Sequence, residues 1–548
     1  MYSKQAWRPW AEPWIWASDD GGGIRLTFDH FLEIVMNGIH GTRFFRSSAT
    51  WTLSLGLALG ACSTERAPEP VRFAAFQPAL FSDGGALTDA WADFDGDGDP
   101  DRFVGFNGTP SRLYRNDRVD GFVDVAQEVS LVVERAVRTS AWGDFDDDGD
   151  PDLLLGFAGD TPVTALYRND GGARFTDVAL DVGLQLSVGA TRQASWIDYD
   201  EDGDLDLFLA MRDRANYLFE NRGPVGFVDV AADVGLADER RTVGAVWFDW
   251  DQGGLDLVVA NMNGDANELY LQADGRFTPA ADLSVLHQGG RAMGDDAQGS
   301  VRPCVVDFDS DGDFDVFFAN YGPNGLLERT APHVLVNIAE AVGVANDSRY
   351  DTCTWGDFDH DGNVDLFVNG TVGGGVHYRD WLMRREGGAV FVDVTPEELL
   401  QLNASHGATW VDFDLDGDLD LALAGSADDG MHHLMQNLLR PEYSWHSLQV
   451  RVLDAEGHAT RPGAEARLYA AGSETLLGTR LVDTGSAYDA QSDLPVHFGV
   501  RGGQTVDVHI TILAGGERRV AVLQGIKPSD YQGRFLEVRL DDSGRPLR

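Results

Sequence analysis

With 548 residues the chain is far longer than one small core requires, so two or three domains are expected. A hydrophobic content of 43% with 10% aromatics excludes a disordered chain. The net charge of −47, with Lys4 and Lys527 the only lysines, excludes nucleic acid and anionic lipid surfaces as partners, because a polyanion repels this protein.

The first element in chain order is a targeting segment. Arg43 and Arg46 precede the run ATWTLSLGLALGAC, which is a charged region, an apolar region and a small-residue end. Leu59-Gly60-Ala61-Cys62 resembles a bacterial lipobox. That resemblance implies lipidation of Cys62 and a membrane contact through the lipid alone; an ordinary secretory signal or a short buried segment is the alternative. Residues 1–35 fit no signal peptide and Met36 makes a better start. Residues 1–61 therefore read as a possible mis-called extension plus a lipoprotein signal, and 62–70 as a polar tether. No other apolar run reaches the roughly 18 residues of a membrane helix.

Residues 71–440 repeat one unit seven times, at intervals of 50 to 58 residues. Each unit opens on an acidic loop, and 34 of the 89 acidic residues lie in these loops. Two residues before the loop stands a tryptophan (Trp91, Trp142, Trp196, Trp247, Trp355, Trp410), with Val305 the exception; these side chains are expected to pack between units. After the loop come an apolar run such as LDLFLA (205–210), then LYRN (113–116, 166–169), then FVDVA (122–126, 227–231) or FTDVA (175–179). Short β-rich runs between Gly, Asn and Asp turns predict four strands, the size of one propeller blade. Unit 7 stops after HLMQN (433–437), and the missing strand stands ahead of unit 1 as VRFAAF (71–76). An all-β, seven-bladed propeller whose N-terminal strand completes the last blade follows, with no open sheet edge.

The loops share the pattern D-x-D-x-D-G-x-x-D. Unit 1 supplies Asp93, Asp95, Asp97, Asp99 and Asp101; unit 2 supplies Asp144, Asp146, Asp148, Asp150 and Asp152. Unit 3 supplies Asp198, Asp200, Asp202, Asp204 and Asp206; unit 5 supplies Asp307, Asp309, Asp311, Asp313 and Asp315. Unit 6 supplies Asp357, Asp359, Asp361, Asn363 and Asp365; unit 7 supplies Asp412, Asp414, Asp416, Asp418 and Asp420. Oxygens at positions 1, 3 and 5, a carbonyl at 7 and a carboxylate at 9 suit Ca²⁺, with glycine at 6 for the turn. No His or Cys stands among them, which argues against zinc or copper. An EF-hand needs a Glu at position 12, where Val104, Leu155 and Leu209 stand instead. In unit 4, WFDWDQGGLDL (247–257) keeps Asp249, Asp251 and Asp256 but has lost a residue and the third aspartate, so no ion or a weak one is expected. About six structural calcium ions follow.

Cys304 and Cys353 lie before adjacent loops; a disulfide and two buried thiols are both open readings. Residues 444–540 hold alternating runs, LQVRV and VDVHITI, that predict a small β domain. The loop DFDGDGDPDRFVG resembles the FG-GAP/VCBS repeat of integrin α-subunit propellers. The fuller unit is similar to the cartilage acidic protein family, and the GSAY turn and HFG triplet resemble its C-terminal ASPIC/UnbV domain. Leu513-Ala514 replaces that domain's usual aromatic-Pro.

The resemblance implies an exported, calcium-stabilised propeller of the bacterial cell envelope, used for binding or adhesion to a protein or glycan, with no catalytic residue. The insertion HQGGRAMGDDAQGSVRP (287–303) is the first place to look for a ligand. Two alternatives stand beside it: a calcium-dependent carbohydrate-active enzyme, for which His406, His432, His433 and His446 are candidates, and an envelope assembly scaffold.

Overall fold

The computed structural model describes residues 70–548, apart from 158, 160, 282, 374–375, 388–389, 403–405, 428–430, 441–442, 444, 486–487, 542 and 548. All of them belong to one compact unit, Glu69–Arg548. The signal segment, Cys62 and nearly all of the tether lie outside the described residues. No helix among the described residues is long and apolar enough to cross a membrane.

Each repeat folds into four antiparallel strands in chain order, as Ala86–Ala92, Asp101–Phe106, Arg112–Asn116 and Phe122–Asp124 do in unit 1. The last sheet is Gly407–Val411, Asp420–Ala424, Leu434–Asn437 and then Phe73–Ala75, with Phe73 opposite Asn437. The N-terminal strand thus closes the ring, as the sequence predicts. First strands of successive units are neighbours all the way round, including the closure from unit 7 to unit 1. The sheets of units 5 and 6 are also joined directly, with Tyr321 opposite Arg349.

Seven apolar clusters hold the ring, and each spans two consecutive units. Their pattern follows from the repeat. The tryptophan packs against the phenylalanine of its own F-x-D strand, as Trp91 does on Phe122 and Trp142 on Phe175. The aromatic at loop position 2 packs on that phenylalanine in the next unit, as Phe94 does on Phe175 and Phe413 on Phe122. Five of the six predicted tryptophans are at least nine-tenths buried; Trp355 is partly buried. Cys304 and Cys353 form a disulfide between the first strands of units 5 and 6, with Cα atoms 6.3 Å apart.

Residues 447–540 form two further sheets around their own core of Val450, Leu468, Phe498, Val508 and Ile510. One holds Ser447–Leu453, Val496–Gly499 and Leu536–Arg539; the other holds Glu465–Ala470, Leu476–Leu481, Val506–Ala514 and Glu517–Ile526. Between them the chain sends a finger into the centre of the propeller. Ala490 and Gln491 pair in parallel with Ser140 and Ala141 on the first strand of unit 2.

The innermost strands present unpaired backbone groups to the channel, and the finger satisfies them. Ser492 Oγ accepts from Trp91 N at 3.2 Å, and Asp493 N donates to Trp91 O at 2.7 Å. Gln491 bridges both backbone groups of Trp196, at 2.6 and 3.2 Å. Thr484 Oγ1 does the same at Trp247, at 3.2 and 3.1 Å.

Candidate metal loops

Each acidic loop joins the first strand of its unit to the second. In six of the seven loops two residues take left-handed backbone, at positions 4 and 6, as Gly96 and Gly98 (φ 71° and 94°) or Asp147 and Gly149 (φ 60° and 96°) do; the shortened unit 4 loop has only Gln252 (φ 68°). Position 6 is glycine because a side chain there is strained. Position 4 tolerates Asp, Glu, Ser, His or Leu, since its φ lies between 55° and 64° in these units.

The reversals bring positions 1, 3 and 9 together. One oxygen from each of Asp93, Asp95 and Asp101 lies within 4.8 Å of the others, and so it is for Asp144, Asp146 and Asp152, and for Asp198, Asp200 and Asp206. Position 5 closes the turn, accepting the position 7 N–H: Asp97 from Asp99 at 3.1 Å, Asp148 from Asp150 at 3.1 Å, Asp202 from Asp204 at 3.0 Å. Units 5, 6 and 7 repeat the bond at Asp311, Asp361 and Asp416. Position 7 side chains diverge: Asp99 and Asp418 are both buried, but Asp99 is held by Arg118, whereas both oxygens of Asp418 lack a hydrogen-bond partner.

The ninth position does more than the sequence suggests. Asp101, Asp152, Asp206, Asp365 and Asp420 are fully buried. Asp101 Oδ1 accepts Asn116 N at 2.7 Å and its Oδ2 accepts Phe94 N at 3.1 Å, so one carboxylate ties the third strand to the loop. Burial raises Asp101, Asp152, Asp206 and Asp315 to about 9, against the backbone donors that lower them. Burial likewise raises Asp93 to about 6 and Asp198 to about 7. Asp357, Asp412 and Asp420 are pushed well above the carboxylate range for the same reason, with neighbouring aspartates adding to it.

A cation fits this donor set. Asp93 Oδ1, Asp95 Oδ1, Asp365 Oδ2, Asp420 Oδ2 and both oxygens of Asp307 are buried without a hydrogen-bond donor. Buried carboxylates in that state are costly unless a positive charge joins them. Hard oxygens on a turn of this kind are ligands for a hard divalent cation.

Unit 4 solves the problem differently. Asp249, Asp251 and Asp256 still approach one another. Arg518, on the strand Glu517–Ile526 of the C-terminal domain, pairs with Asp249 and also meets Glu465 at 2.8 Å. A guanidinium neutralises the loop whose third aspartate is missing.

The C-terminal domain acts on every other loop as well, by contact or by charge. The charge of Arg451 acts on Asp93, that of Arg461 on Asp198 and that of Arg480 on Asp357. A Cβ at Gly149 would sit 3.4 Å from His458. Arg467 donates to Gly312 O at 2.9 Å, and Gln449 donates to Asp412 at 2.6 Å. The HFG triplet now has a physical reading. His497 Nε2 meets Gly417 O at 3.0 Å, Phe498 fills the C-terminal core, and a Cβ at Gly499 would strike Asp357 Oδ2 at 1.9 Å.

The asparagine that ends LYRN makes two connections. Its backbone N–H binds the ninth aspartate of its own loop, and its side chain crosses to the preceding unit. Asn169 Nδ2 donates to Phe94 O at 2.8 Å, Asn221 to Phe145 O at 3.0 Å, Asn437 to Phe358 O at 2.9 Å and Asn116 to Phe413 O at 2.7 Å. Gln272 and Arg329 make the same bridge to Tyr199 O and Trp250 O. Six of the seven loops are thereby clamped to the next sheet.

The four candidate histidines do not share one site. His406 Nδ1 meets Asp351 at 2.8 Å, while His432 bridges Tyr114 and Asp83 O at 2.7 and 3.0 Å. His446 packs by Tyr443. In the 287–303 insertion, Arg291 is buried and binds Asn261 O and Ser300 Oγ at 3.0 and 3.1 Å, which anchors the loop to unit 4.

Comparison with known proteins agrees with these repeats. Residues 93–155, 144–209 and 307–368 match the FG-GAP-like repeat family. The chain is 26% identical over 495 residues to cartilage acidic protein 1 of Homo sapiens, covering 79% of this chain and 69% of that protein. It is 25% identical over 493 residues to the Xenopus tropicalis protein of that name, covering 79% and 70%. Among solved structures it is similar to the extracellular domain of a hybrid two-component system of B. thetaiotaomicron (TM-score 0.42, 8% identity, 83% of this chain and 58% of that one). It is also similar to YCF48 of Cyanidioschyzon merolae (TM-score 0.39, 10% identity, 68% and 99%).

Proposed function

Since the chain is an FG-GAP-repeat propeller and a relative of cartilage acidic protein 1, we propose that it is a calcium-stabilised binding or adhesion protein of the bacterial cell envelope. It is exported, anchored through a lipid on Cys62, and has no catalytic role. One observation carries the reading. The face that bears the acidic loops is covered by the C-terminal domain, so the loops serve the assembly of the molecule, and the opposite face is left for a partner.

Six loops each take one Ca²⁺ through positions 1, 3, 5 and 9 and the carbonyl at 7, and unit 4 takes none because Arg518 is already there. The ions and the arginines of the C-terminal domain together balance a face dense in carboxylates. The buried carboxylates are thus committed to the loops, which supports a binding role over hydrolysis.

A glycan array and a pull-down from solubilised envelope, each run in calcium and in EDTA, test the proposal. A calcium-dependent glycan or a stoichiometric protein partner supports it. New reducing ends released from polysaccharides would overturn the non-catalytic reading.

A further inference from the structure

The first strand of each unit turns the backbone N–H and C=O of the tryptophan position toward the channel. The register repeats from unit to unit, with Trp91 opposite Arg102, Trp247 opposite Leu257, Val305 opposite Val316 and Trp355 opposite Leu366. The finger meets the first four units. Ser492 and Asp493 serve Trp91, Ala490 and Gln491 run beside Ser140 and Ala141, Gln491 serves Trp196, and Thr484 serves Trp247. Among the described residues, no finger group plays this part at Val305 or Trp355.

A cavity of about 150 Å³ stands there instead. Its wall runs along the first strands of units 5 and 6, through Val305 and Trp355, and continues over Phe314, Val364 and, from the C-terminal domain, Leu481. Val305 is the one break in the tryptophan series. With valine in place of an indole the wall recedes, and Val305 and Trp355 are the two members of the series that are only partly buried. Beside Trp410 of unit 7 the corresponding cavity measures about 20 Å³, room for one water.

The two charged residues at the wall are already committed. Arg480 donates to His497 O and Thr479 O at 2.9 and 3.0 Å, and Asp483 accepts Gly485 N and Ser492 N, each at 2.7 Å. A charged guest would leave water without gaining a counter-charge, so a neutral one is favoured. The finger shows which chemistry satisfies a first-strand edge. The Gln491 carboxamide accepts Trp196 N at 2.6 Å and donates to Trp196 O at 3.2 Å, one planar group for both. For the rest of the guest, an apolar space of about 150 Å³ admits a benzene ring.

We propose that this cavity binds a small neutral carboxamide carrying one apolar ring, with the amide pairing to the strand edge at Val305 as Gln491 does at Trp196. The ring takes the space that the indole fills in the other units, against Phe314, Val364 and Leu481. Binding pairs both backbone groups and removes the ring from water. The site lies between the propeller and the C-terminal domain. It is therefore separate from the partner proposed for the opposite face and does not depend on it.

The test is calorimetric titration of the calcium-loaded full chain with benzamide, benzoate, N,N-dimethylbenzamide and toluene. Benzamide is expected to bind with a Kd of about 1 mM or tighter, as a ligand of its size can. The other three are expected to bind roughly tenfold more weakly or worse, because the first carries a charge, the second lacks the N–H and the third lacks the amide. Val305→Trp restores the residue of the other six units and fills the space. It is expected to abolish benzamide binding, with calcium content unchanged and melting temperature unchanged or raised. No benzamide binding at about 10 mM, any of the other three binding as tightly, or full affinity in V305W would overturn the proposal. Should V305W fail to fold, the four-ligand series on the natural chain decides.

Discussion

Asp101 and its counterparts at loop position 9 show what a bound metal would have to do. A carboxyl whose folded pKa lies above its unfolded value stabilises the fold only while protonated. For Asp101 that contribution is full below 3.8 and is lost as pH rises through about 9. The metal-free protein is therefore expected to lose melting temperature steadily from pH 5 to pH 9 in EDTA. With calcium the ionised form is the bound one, and the decline should vanish or reverse; parallel melting curves in the two conditions would argue against bound metal. Arg518→Met should destabilise by about 2–4 kcal/mol, because Asp249 then keeps its charge without a cationic partner and Glu465 keeps only Arg467. Chemical denaturation would measure it. The aspartates were legible in the sequence from their spacing. Arg518 was not, since it lies 269 residues from Asp249 and belongs to no repeat.

At the scale of the element, the repeat unit is one strand–loop–strand device copied around a ring. The asparagine that ends the third strand joins its own loop to the preceding one. Asn169→Ala removes donors to Phe94 O and Pro151 O and the acceptor for Gly172 N. A loss of about 2–3 kcal/mol is expected, with calcium content preserved; a drop in bound calcium instead would place Asn169 in the metal site. The disulfide joins first strands 49 residues apart in sequence, so reducing it should cost about 3–4 kcal/mol by loop entropy. Denaturation with and without reductant measures that directly. The four-strand period, the tryptophan position and the closing strand at Phe73–Ala75 could all be read from the chain, because periodic burial leaves periodic sequence. The bridge from asparagine to the preceding unit could be noticed as LYRN but not assigned, since a side chain's partner in another sheet leaves no spacing signal.

The unit Glu69–Arg548 is a ring covered on one face. The C-terminal domain read as a separate β domain, and its strands are where the alternation put them. Its finger was not foreseeable: Thr484, Gln491 and Ser492 satisfy backbone groups of three distant tryptophans, and single polar contacts of that kind carry no pattern. Truncation before Ser447 should leave those groups unpaired and the loops without their arginines, lowering the melting temperature by about 10 °C or more, or yielding aggregate. The most direct test of the whole account is the calcium stoichiometry of the purified protein after dialysis, with thermal unfolding in EDTA and in about 2 mM Ca²⁺. The account predicts about six ions per chain and a large rise in melting temperature with calcium. No bound metal and coincident unfolding curves would contradict it, and the acidic loops would then be turns held by hydrogen bonds alone.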